Sequence, residues 1–545
     1  MKLPGVQKAS WPAMAGGFAL LALAAVAFAH VRPTNFRGFD EWVVLSLLSR
    51  GIMDYPYANR PLGMLWALPA WMIAPDRLWG FLVVHATWIG LSGVLVFLLA
   101  RRLLRTPSAF ALLAGAFAIL WAPSDATRLC SVQMTLYSGS TFGVLLALWL
   151  LVEGWSRRLI ALAIAGAAAG VAAAMSIEVA LAPLAFGPLL LLLAGAAREP
   201  RRLAAWTASW FALLLATGLR AVVPLWTDPE RFTYQMQFQA PNLSPRRITY
   251  GLLQQLRAHL QPLADLSAAA RALPLVAVAL AVLLAGLLVL RPRGEEGPDA
   301  PGPPRRSLLA AALLGLAWAL ASYLPFVLSP KTQGPVRTQF FSTPGVAVLL
   351  AAVLVGVASF LPRRARFLAA ALLGAWVVAV GIGRSVALQA VWDLKSAYPN
   401  QRKTLLELTT LAPDLAPGTL VVLLARGPTW HFDFSFRHAV RYLYEGRAVG
   451  HVAGADDLLY RTLFEDEGAR SLPIPTIRGP WGEPALLYGY DAIVVLREGK
   501  KGRLELLEAW PDGDLPPLPE GAVYAPRLRL RGGAPPRRLA ILGPP

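Results

Sequence analysis

Apolar stretches of about 20 residues recur over the first 384 positions and are separated by polar connections. A helix needs about 20 mostly apolar residues to cross a bilayer. The pattern therefore predicts a polytopic α-helical membrane protein with about eleven transmembrane helices. The predicted windows lie at roughly 11–30, 78–100, 106–122, 136–155, 159–176, 179–196, 203–225, 273–290, 308–328, 344–361 and 367–384.

Arginine clusters follow every second window and give the predicted helices an orientation. Basic residues next to membrane spans favour the cytoplasmic side, so these clusters are placed inside, together with the N-terminus that carries Lys2 and Lys8. Eleven spans then leave the C-terminus outside. The clusters are Arg101/Arg102/Arg105, Arg157/Arg158, Arg198/Arg201/Arg202, Arg291/Arg293 with Arg305/Arg306, and Arg363/Arg364/Arg366.

Two alternatives stay open in this topology. Residues 159–196 also fit one long bent span, which would give an even number of crossings. The first window ends in AVAFAH, which has the small-residue pattern of a signal-peptidase site.

Composition after residue 384 changes and predicts a second domain. Residues 385–545 contain short apolar runs at 419–426, 491–498 and 538–543, with amphipathic stretches such as QRKTLLELTTLAP and FRHAVRYLYEG. Short apolar runs bounded by Gly and Pro are typical of strands. We therefore expect a transmembrane domain over 1–384 and an extracytoplasmic α/β domain over 385–545.

Overall composition excludes several classes of protein. Hydrophobic residues make up 56% of the chain and charged residues 15%, with a mean hydropathy of +0.51, which a soluble enzyme does not need. The net charge of +19 comes from arginines between apolar stretches, which indicates membrane topology and no nucleic-acid partner. A single cysteine, Cys130, excludes an intrachain disulfide framework.

The predicted outer loop at 31–77 carries the densest polar chemistry. Asp40 and Glu41 open an amphipathic stretch, WVVLSLLSRG, which we expect to lie at the interface with its apolar face in lipid. The loop then turns through residues 55–57 to Arg60-Pro61-Leu62.

This arrangement resembles the GT-C superfamily of membrane glycosyltransferases, and among its members the protein O-mannosyltransferases and the lipid A aminoarabinose transferases. The shared features are an acidic residue in the first outer loop, a juxtamembrane helix, and a basic, Pro-containing turn before the second span. The resemblance covers residues 10–385 in topology but only residues 36–62 at the level of motifs.

The resemblance implies a reaction and an assignment of residues. Asp40 is the first candidate for the base that activates the acceptor, and Glu41 is the second; a carboxylate within hydrogen-bond reach can take a hydroxyl proton. Arg60 is placed at the carrier phosphate, with Arg337 and Lys331 of a later outer loop gathering around the same group. Guanidinium groups bind phosphate through two donors.

Weaker candidates are placed along the cavity. They are Glu178, Asp125, Arg128 and Tyr57. Related enzymes carry a second acid a few residues after the position of Arg128, where this chain has Gln133 or Thr135. We therefore expect no metal ligand set and metal-independent chemistry, while the resemblance leaves Mg²⁺ or Mn²⁺ open as an activator.

The predicted function is transfer of a sugar from a polyprenyl-phosphate-linked donor to a lipid, glycan or protein acceptor at the outer face of the cytoplasmic membrane. The alternatives are a transporter or flippase of lipid-linked sugars and a non-catalytic membrane scaffold. Transporters usually carry paired internal repeats, and the sequence has none. P-loop and dinucleotide-binding motifs are absent as well.

Overall fold

The computed structural model describes residues 11–55, 60–104, 108–227, 243–290, 305–329, 337–455, 459–473, 485–499 and 503–543. Eighteen α-helices lie in these ranges. They are α1 Trp11–Phe28, α2 Asp40–Ser49, α3 Leu68–Ile73, α4 Leu78–Leu104, α5 Ser108–Leu120, α6 Ser131–Arg157, α7 Ile160–Ser176, α8 Leu181–Leu184, α9 Gly187–Leu193, α10 Pro200–Thr227, α11 Pro245–Leu260, α12 Leu266–Ala270, α13 Leu273–Val289, α14 Arg305–Leu328, α15 Gln339–Ala358, α16 Arg363–Lys395, α17 Tyr398–Leu411 and α18 Asp433–Leu443.

The helices of the first 395 residues form a membrane-spanning bundle. Seven described helices are long and apolar enough to cross a bilayer, and shorter apolar helices fill the remaining predicted windows at 108–120, 160–176, 178–193 and 273–289. Large apolar side chains such as Phe18 and Leu215 point outward and are exposed, as lipid-facing positions require. The prediction of a polytopic helical protein with a C-terminal β-containing domain is confirmed, while the count of eleven crossings stays a prediction.

Within residues 160–193 the chain breaks and reverses. Helix α7 ends at Ser176, Ile177 is extended, and a 3₁₀ turn begins at Glu178. The chain then runs back along α7, because Leu184 lies beside Gly170 and Glu199 binds Arg158 at 3.0 Å. These residues therefore form two antiparallel segments instead of one bent helix.

Basic residues gather at one end of the bundle. Glu153 near the end of α6 lies 2.6 Å from Arg157 and 3.7 Å from Arg102 of α4. Gln133, in the first turn of α6, lies at the opposite end and contacts Asp40 of α2. A helix of 27 residues is about 40 Å long. Arg102 and Arg157 therefore lie at the end of the bundle opposite the first loop.

The C-terminal domain is built on a four-stranded sheet of order β3-β2-β7-β8. Strand β2 pairs parallel with both β3 and β7, and all but the last of its residues are buried, as expected of a central parallel strand. A three-stranded sheet, β4-β5-β6, and a short β1-β9 pair complete the domain. The strands are β1 Asp414–Leu415, β2 Thr419–Leu424, β3 Ala448–Val452, β4 Tyr460–Glu465, β5 Gly468–Pro473, β6 Leu486–Tyr488, β7 Ile493–Glu498, β8 Leu504–Leu506 and β9 Leu530–Arg531.

Two of the three predicted apolar strands are confirmed as β2 and β7. The third prediction, at 538–543, is wrong, since Arg537–Leu542 forms a 3₁₀ helix. It begins directly after two prolines, and its last carbonyls accept hydrogen bonds from α17: Tyr398 donates to Ile541 at 2.8 Å and Arg402 to Leu542 at 2.5 Å. The apolar residues are thus buried under a helix instead of within a sheet.

Helix α2 is covered by protein, which corrects the expectation that its apolar face lies in lipid. All residues from Glu41 to Leu48 are buried. The indole of Trp42 donates to Gln401 of α17 at 2.9 Å, and Ser435 of α18 donates to the carbonyl of Phe39 at 3.2 Å. The C-terminal domain therefore sits directly on the first loop. The boundary predicted at residue 384 falls inside α16, and the domain's first helix begins at Tyr398.

Candidate functional site

Asp40 begins α2 and lies where the first loop meets α6. Its side chain is about a quarter exposed, and its Oδ2 accepts a hydrogen bond from Nε2 of Gln133. The two residues are 93 positions apart. The first candidate base, Asp40, therefore accepts a hydrogen bond from the first turn of α6 and remains partly open to solvent.

Arg337 forms an ion pair with the same oxygen, Oδ2 of Asp40. Its Nη2 is 3.8 Å from Asp40 Oδ2, and its guanidinium carbon lies 5.8 Å from the centre of the Tyr137 ring. Burial lowers the pKa of Arg337, but Tyr137 and Asp40 raise it by more, so the pKa stands above its usual range. Asp40 thus faces a cation that stays charged at any physiological pH.

The backbone of Arg337 is strained, and the two residues that follow it are held by hydrogen bonds to other segments. Its φ of +64° lies in the left-handed region, which non-glycine residues seldom adopt unless their surroundings impose it. Thr338 donates to Gln255 of α11 at 2.7 Å. The amide oxygen of Gln339 accepts from the backbone N–H groups of Ser124 and Asp125 at 3.2 Å each. These bonds hold the two residues that follow Arg337.

Glu41 is fully buried and holds the turn before α2. Its carboxylate accepts hydrogen bonds from the backbone N–H groups of Arg37, Gly38 and Phe39 at 2.7, 3.2 and 3.1 Å. Burial raises the pKa of Glu41, and these hydrogen bonds oppose that effect. Both oxygens are engaged with the backbone, so the geometry favours a role in orienting Asp40. The assignment of Glu41 as a second base stays a prediction.

Arg60 and Glu178 form one ion pair, although the sequence pattern suggests separate roles for them. The Nε and Nη2 atoms of Arg60 lie 3.0 and 2.9 Å from the two carboxylate oxygens of Glu178. Burial lowers the pKa of Arg60, and the Glu178 carboxylate raises it by more, so it stands above its usual range. Nearby, Ser176 donates to the carbonyl of Leu62 at 2.8 Å. The turn of the first loop is thus fastened to the break after α7.

The two arginines belong to one electrostatic cluster. Tyr137 and Tyr55 contribute to raising the pKa of both Arg60 and Arg337. The cluster therefore contains two ion pairs. Arg337 faces the Asp40 carboxylate, and Arg60 binds the Glu178 carboxylate. Sequence reasoning missed Tyr137, although its position one turn after Gln133 puts both on one face of α6.

Asp125 and Arg128 lie behind this cluster and are buried. Asp125 caps the 3₁₀ helix Ala126–Leu129 by accepting from the Thr127 N–H at 3.1 Å, and burial raises the pKa of Asp125 to about 6. Arg128 donates to the carbonyl of Ile119, and burial lowers the pKa of Arg128 to about 10. Both side chains are engaged in local structure.

Two predicted site residues, Tyr57 and Lys331, lie outside the described residues. Within the described ranges, no group of three His, Cys, Asp or Glu side chains is placed to hold a metal ion. The groups beside Asp40 are an amide and a guanidinium, of which the guanidinium supplies positive charge. Dependence on a divalent metal stays a prediction in either direction.

No protein-family profile matches the sequence, and no curated protein does. Among solved structures, the crystal structure of ArnT from Cupriavidus metallidurans bound to undecaprenyl phosphate is 16% identical, with 82% of this chain and 87% of that chain covered and a TM-score of 0.40. The apo form of the same protein is 17% identical over the same coverage, with a TM-score of 0.41. At such scores neither residue roles nor ligands transfer from one chain to the other.

Proposed function

We propose that the protein is a membrane glycosyltransferase. It moves a sugar from a polyprenyl-phosphate-linked donor to a lipid, glycan or protein acceptor, at the face of the cytoplasmic membrane that carries the C-terminal domain. The single observation that carries the proposal is the contact between Asp40, a partly exposed carboxylate, and Arg337, a guanidinium held in a strained backbone conformation.

In the proposed reaction the acceptor hydroxyl attacks C1 of the donor sugar. Asp40 takes the hydroxyl proton as the new bond from oxygen to C1 forms. The bond from C1 to the phosphate oxygen breaks, and polyprenyl phosphate leaves with the electron pair. Arg337 stands next to the base and stabilises the negative charge that develops on the leaving phosphate.

Arg60 is the second cation proposed for the phosphate. It shares Tyr137 and Tyr55 with Arg337 as electrostatic neighbours, and we propose that both arginines contact the same phosphate. Its two donors are taken by Glu178 in the structure, and a phosphate must compete for them. We propose Lys331 as a third cation, following the sequence argument alone.

The location of the site suits a donor dissolved in the membrane. Asp40 lies at the end of a bundle of apolar helices and beneath the C-terminal domain. In this proposal the polyprenyl chain remains in lipid while its phosphate reaches the two arginines at the end of the bundle. The acceptor then approaches between the first loop and the C-terminal domain.

Sugar transfer in membranes tests the proposal. The assay supplies radiolabelled polyprenyl-phosphate sugars, a hexose and an aminopentose among them, and compares the wild type with Asp40→Asn. The variant should lose about 10²–10⁴-fold in rate, the usual contribution of a general base. Asp265→Asn is the matched control, since Asp265 pairs with Arg384 elsewhere. Asp40→Asn with more than half the wild-type rate would remove Asp40 from the mechanism.

A further inference from the structure

Gln133 is a polar residue buried in the apolar bundle, and the proposed reaction makes no use of it. It is 5% exposed, and its Nε2 donates to Oδ2 of Asp40. Its other amide atom, Oε1, is buried and accepts no hydrogen bond within the described residues. Within the described residues, the contact with Asp40 is thus the one hydrogen bond of the Gln133 side chain.

The two oxygens of Asp40 are in different surroundings. Oδ2 receives the Gln133 amide and faces Nη2 of Arg337 at 3.8 Å. In the described part of the chain, no hydrogen bond reaches Oδ1. Oδ2 therefore accepts one hydrogen bond, from Gln133, and also faces the guanidinium of Arg337. Oδ1 is left to accept a proton.

We infer that Gln133 is a positioning residue that anchors Asp40 through Oδ2 and presents Oδ1 to the acceptor. The inference rests on the proposed function and deepens it, because it explains which oxygen of the base reacts. A glutamine suits this role, because its N–H donates to a carboxylate and its neutral amide leaves the negative charge of Asp40 undisturbed. A second acid at this position would repel that charge.

Gln133→Glu tests this role with little change of shape. Gln133 lies in the first turn of α6, where a carboxylate is favoured by the helix dipole, so Gln133→Glu keeps the shape and the helix. The charged groups nearest this position are Asp40 on α2 and Arg337 ahead of α15, and Tyr137 follows on α6 itself. Glu41, Arg37 and Asp125 act electrostatically on Cys130, one turn before Gln133. At neutral pH an ionised Glu cannot donate to Asp40. When the two carboxylates share one proton, the Glu O–H restores the missing donor.

The test compares Gln133→Glu with a matched substitution elsewhere. Gln389 also donates its Nε2 to an aspartate, Asp393, at 2.9 Å, and to Asn35 at 3.0 Å. Gln389→Glu therefore also places a second carboxylate beside an aspartate, away from the site. The transfer rate is measured from pH 4.5 to 8.5 with the radiolabelled donor that the wild type uses. We expect the optimum of Gln133→Glu to lie at least about one pH unit below the wild type, while that of Gln389→Glu stays in place.

A second variant keeps the inference testable if Gln133→Glu does not fold. Gln133→Leu removes the donor without adding charge. Misplaced catalytic groups cost up to about 10²-fold, so kcat should fall by about tenfold to a hundredfold while the KM for the donor changes less than about twofold. An unshifted optimum in a folded Gln133→Glu, or a wild-type kcat in Gln133→Leu, overturns the inference. If Asp40→Asn is inactive in the same assay, such a result leaves the proposed function standing.

Discussion

Arg60 donates two hydrogen bonds to Glu178, of 3.0 and 2.9 Å, although the two residues are 118 positions apart in the sequence. The Arg60 side chain is 15% exposed and that of Glu178 is 46% exposed. The planar guanidinium matches a carboxylate as it would match a phosphate. Glu178 therefore occupies the donors that the proposed reaction needs for the carrier phosphate.

Glu178→Gln should improve the use of the donor. The amide keeps one acceptor for Arg60 but removes the negative charge that competes with phosphate, so we expect the KM for the donor to fall several-fold with little change in kcat. Donor titrations in membranes measure this. Glu199→Gln is the control, because Glu199 pairs with Arg158 and Arg202 at the opposite end of the bundle. A higher KM in Glu178→Gln would mean that the intact ion pair is what the donor recognises.

Arg60→Ala should have the opposite effect on the donor. Its proposed partner is the phosphate, so the KM for the donor should rise, and that for the acceptor should change much less. Arg60→Lys should recover part of the loss, since the charge returns without the two-point donor geometry. Identical donor dependence in Arg60→Ala and the wild type would limit Arg60 to anchoring the first loop through Glu178.

Trp42 tests the contact between the first loop and the C-terminal domain. Its side chain is fully buried and donates to Gln401 at 2.9 Å. Truncating a buried Trp to Ala costs about 3–5 kcal/mol, so Trp42→Ala should unfold at a lower temperature in detergent and release the C-terminal domain to protease. Trp79→Ala is the control, because Trp79 is half exposed on α4. Equal unfolding temperatures and equal protease sensitivity of the two variants would mean that α2 lies at the lipid interface and not under the C-terminal domain.

Helix α2 shows that the sequence predicts where apolar segments lie but not what covers them. Apolar length is a property of one segment, and the transmembrane windows can therefore be located without any knowledge of packing. The run Val43–Leu48 is apolar except for Ser46, but sequence alone does not distinguish burial in lipid from burial under a distant domain. Burial under the C-terminal domain is shown by the hydrogen bond from Trp42 to Gln401, and these two residues are 359 positions apart.

The site shows the same limit. Charge and position identify Asp40, Arg60, Glu178 and Arg337 as separate candidates, and the structure brings them into one cluster. Their pairing depends on contacts between segments far apart in sequence, which no local pattern encodes. In the sequence, Gln133 stands out only as a place where an acid is missing. Its contact with Asp40 requires the first turn of α6 to meet the start of α2.

Asp125 should make stability depend on pH. Burial raises its pKa to about 6 from 3.8, so the folded state holds the proton more tightly than the unfolded state. The contribution of Asp125 to stability should therefore fall as pH rises from about 4 to 6, by up to about 3 kcal/mol. Asp125→Asn cannot ionise and keeps an oxygen for the Thr127 N–H, so its stability relative to the wild type should rise over this range and level off above pH 6.

Thermal unfolding in detergent between about pH 3 and 7.5 measures this difference. Asp265→Asn is a control of opposite sign, because hydrogen bonds from Ser267 and Arg384 lower the pKa of Asp265. Ionised Asp265 stabilises the fold, so this variant should lose stability relative to the wild type as pH rises through the ordinary range of an aspartate. A pH-independent offset for Asp125→Asn would show that Asp125 is already ionised at pH 4 or that its charge is compensated.

The C-terminal domain should lie outside the cytoplasm. It packs on α2, at the end of the bundle opposite the paired arginines of α4 and α6, and basic residues favour the cytoplasmic side. Alkaline phosphatase fused after Pro545 should be active, and green fluorescent protein at the same place should be dark. Fluorescent protein fused after Arg158, at the turn between α6 and α7, should fluoresce.

These two fusion sites separate the ways in which the topology can fail. If both results are reversed, the bundle is inverted and Asp40 faces the cytoplasm, which excludes a donor and acceptor at the outer face. If fluorescent protein is bright at both sites, the domain and the arginine cluster lie on one side. That result contradicts the placement of Gln133 and Arg157 at opposite ends of α6, and the contact between Asp40 and the first turn of α6 would fail with it.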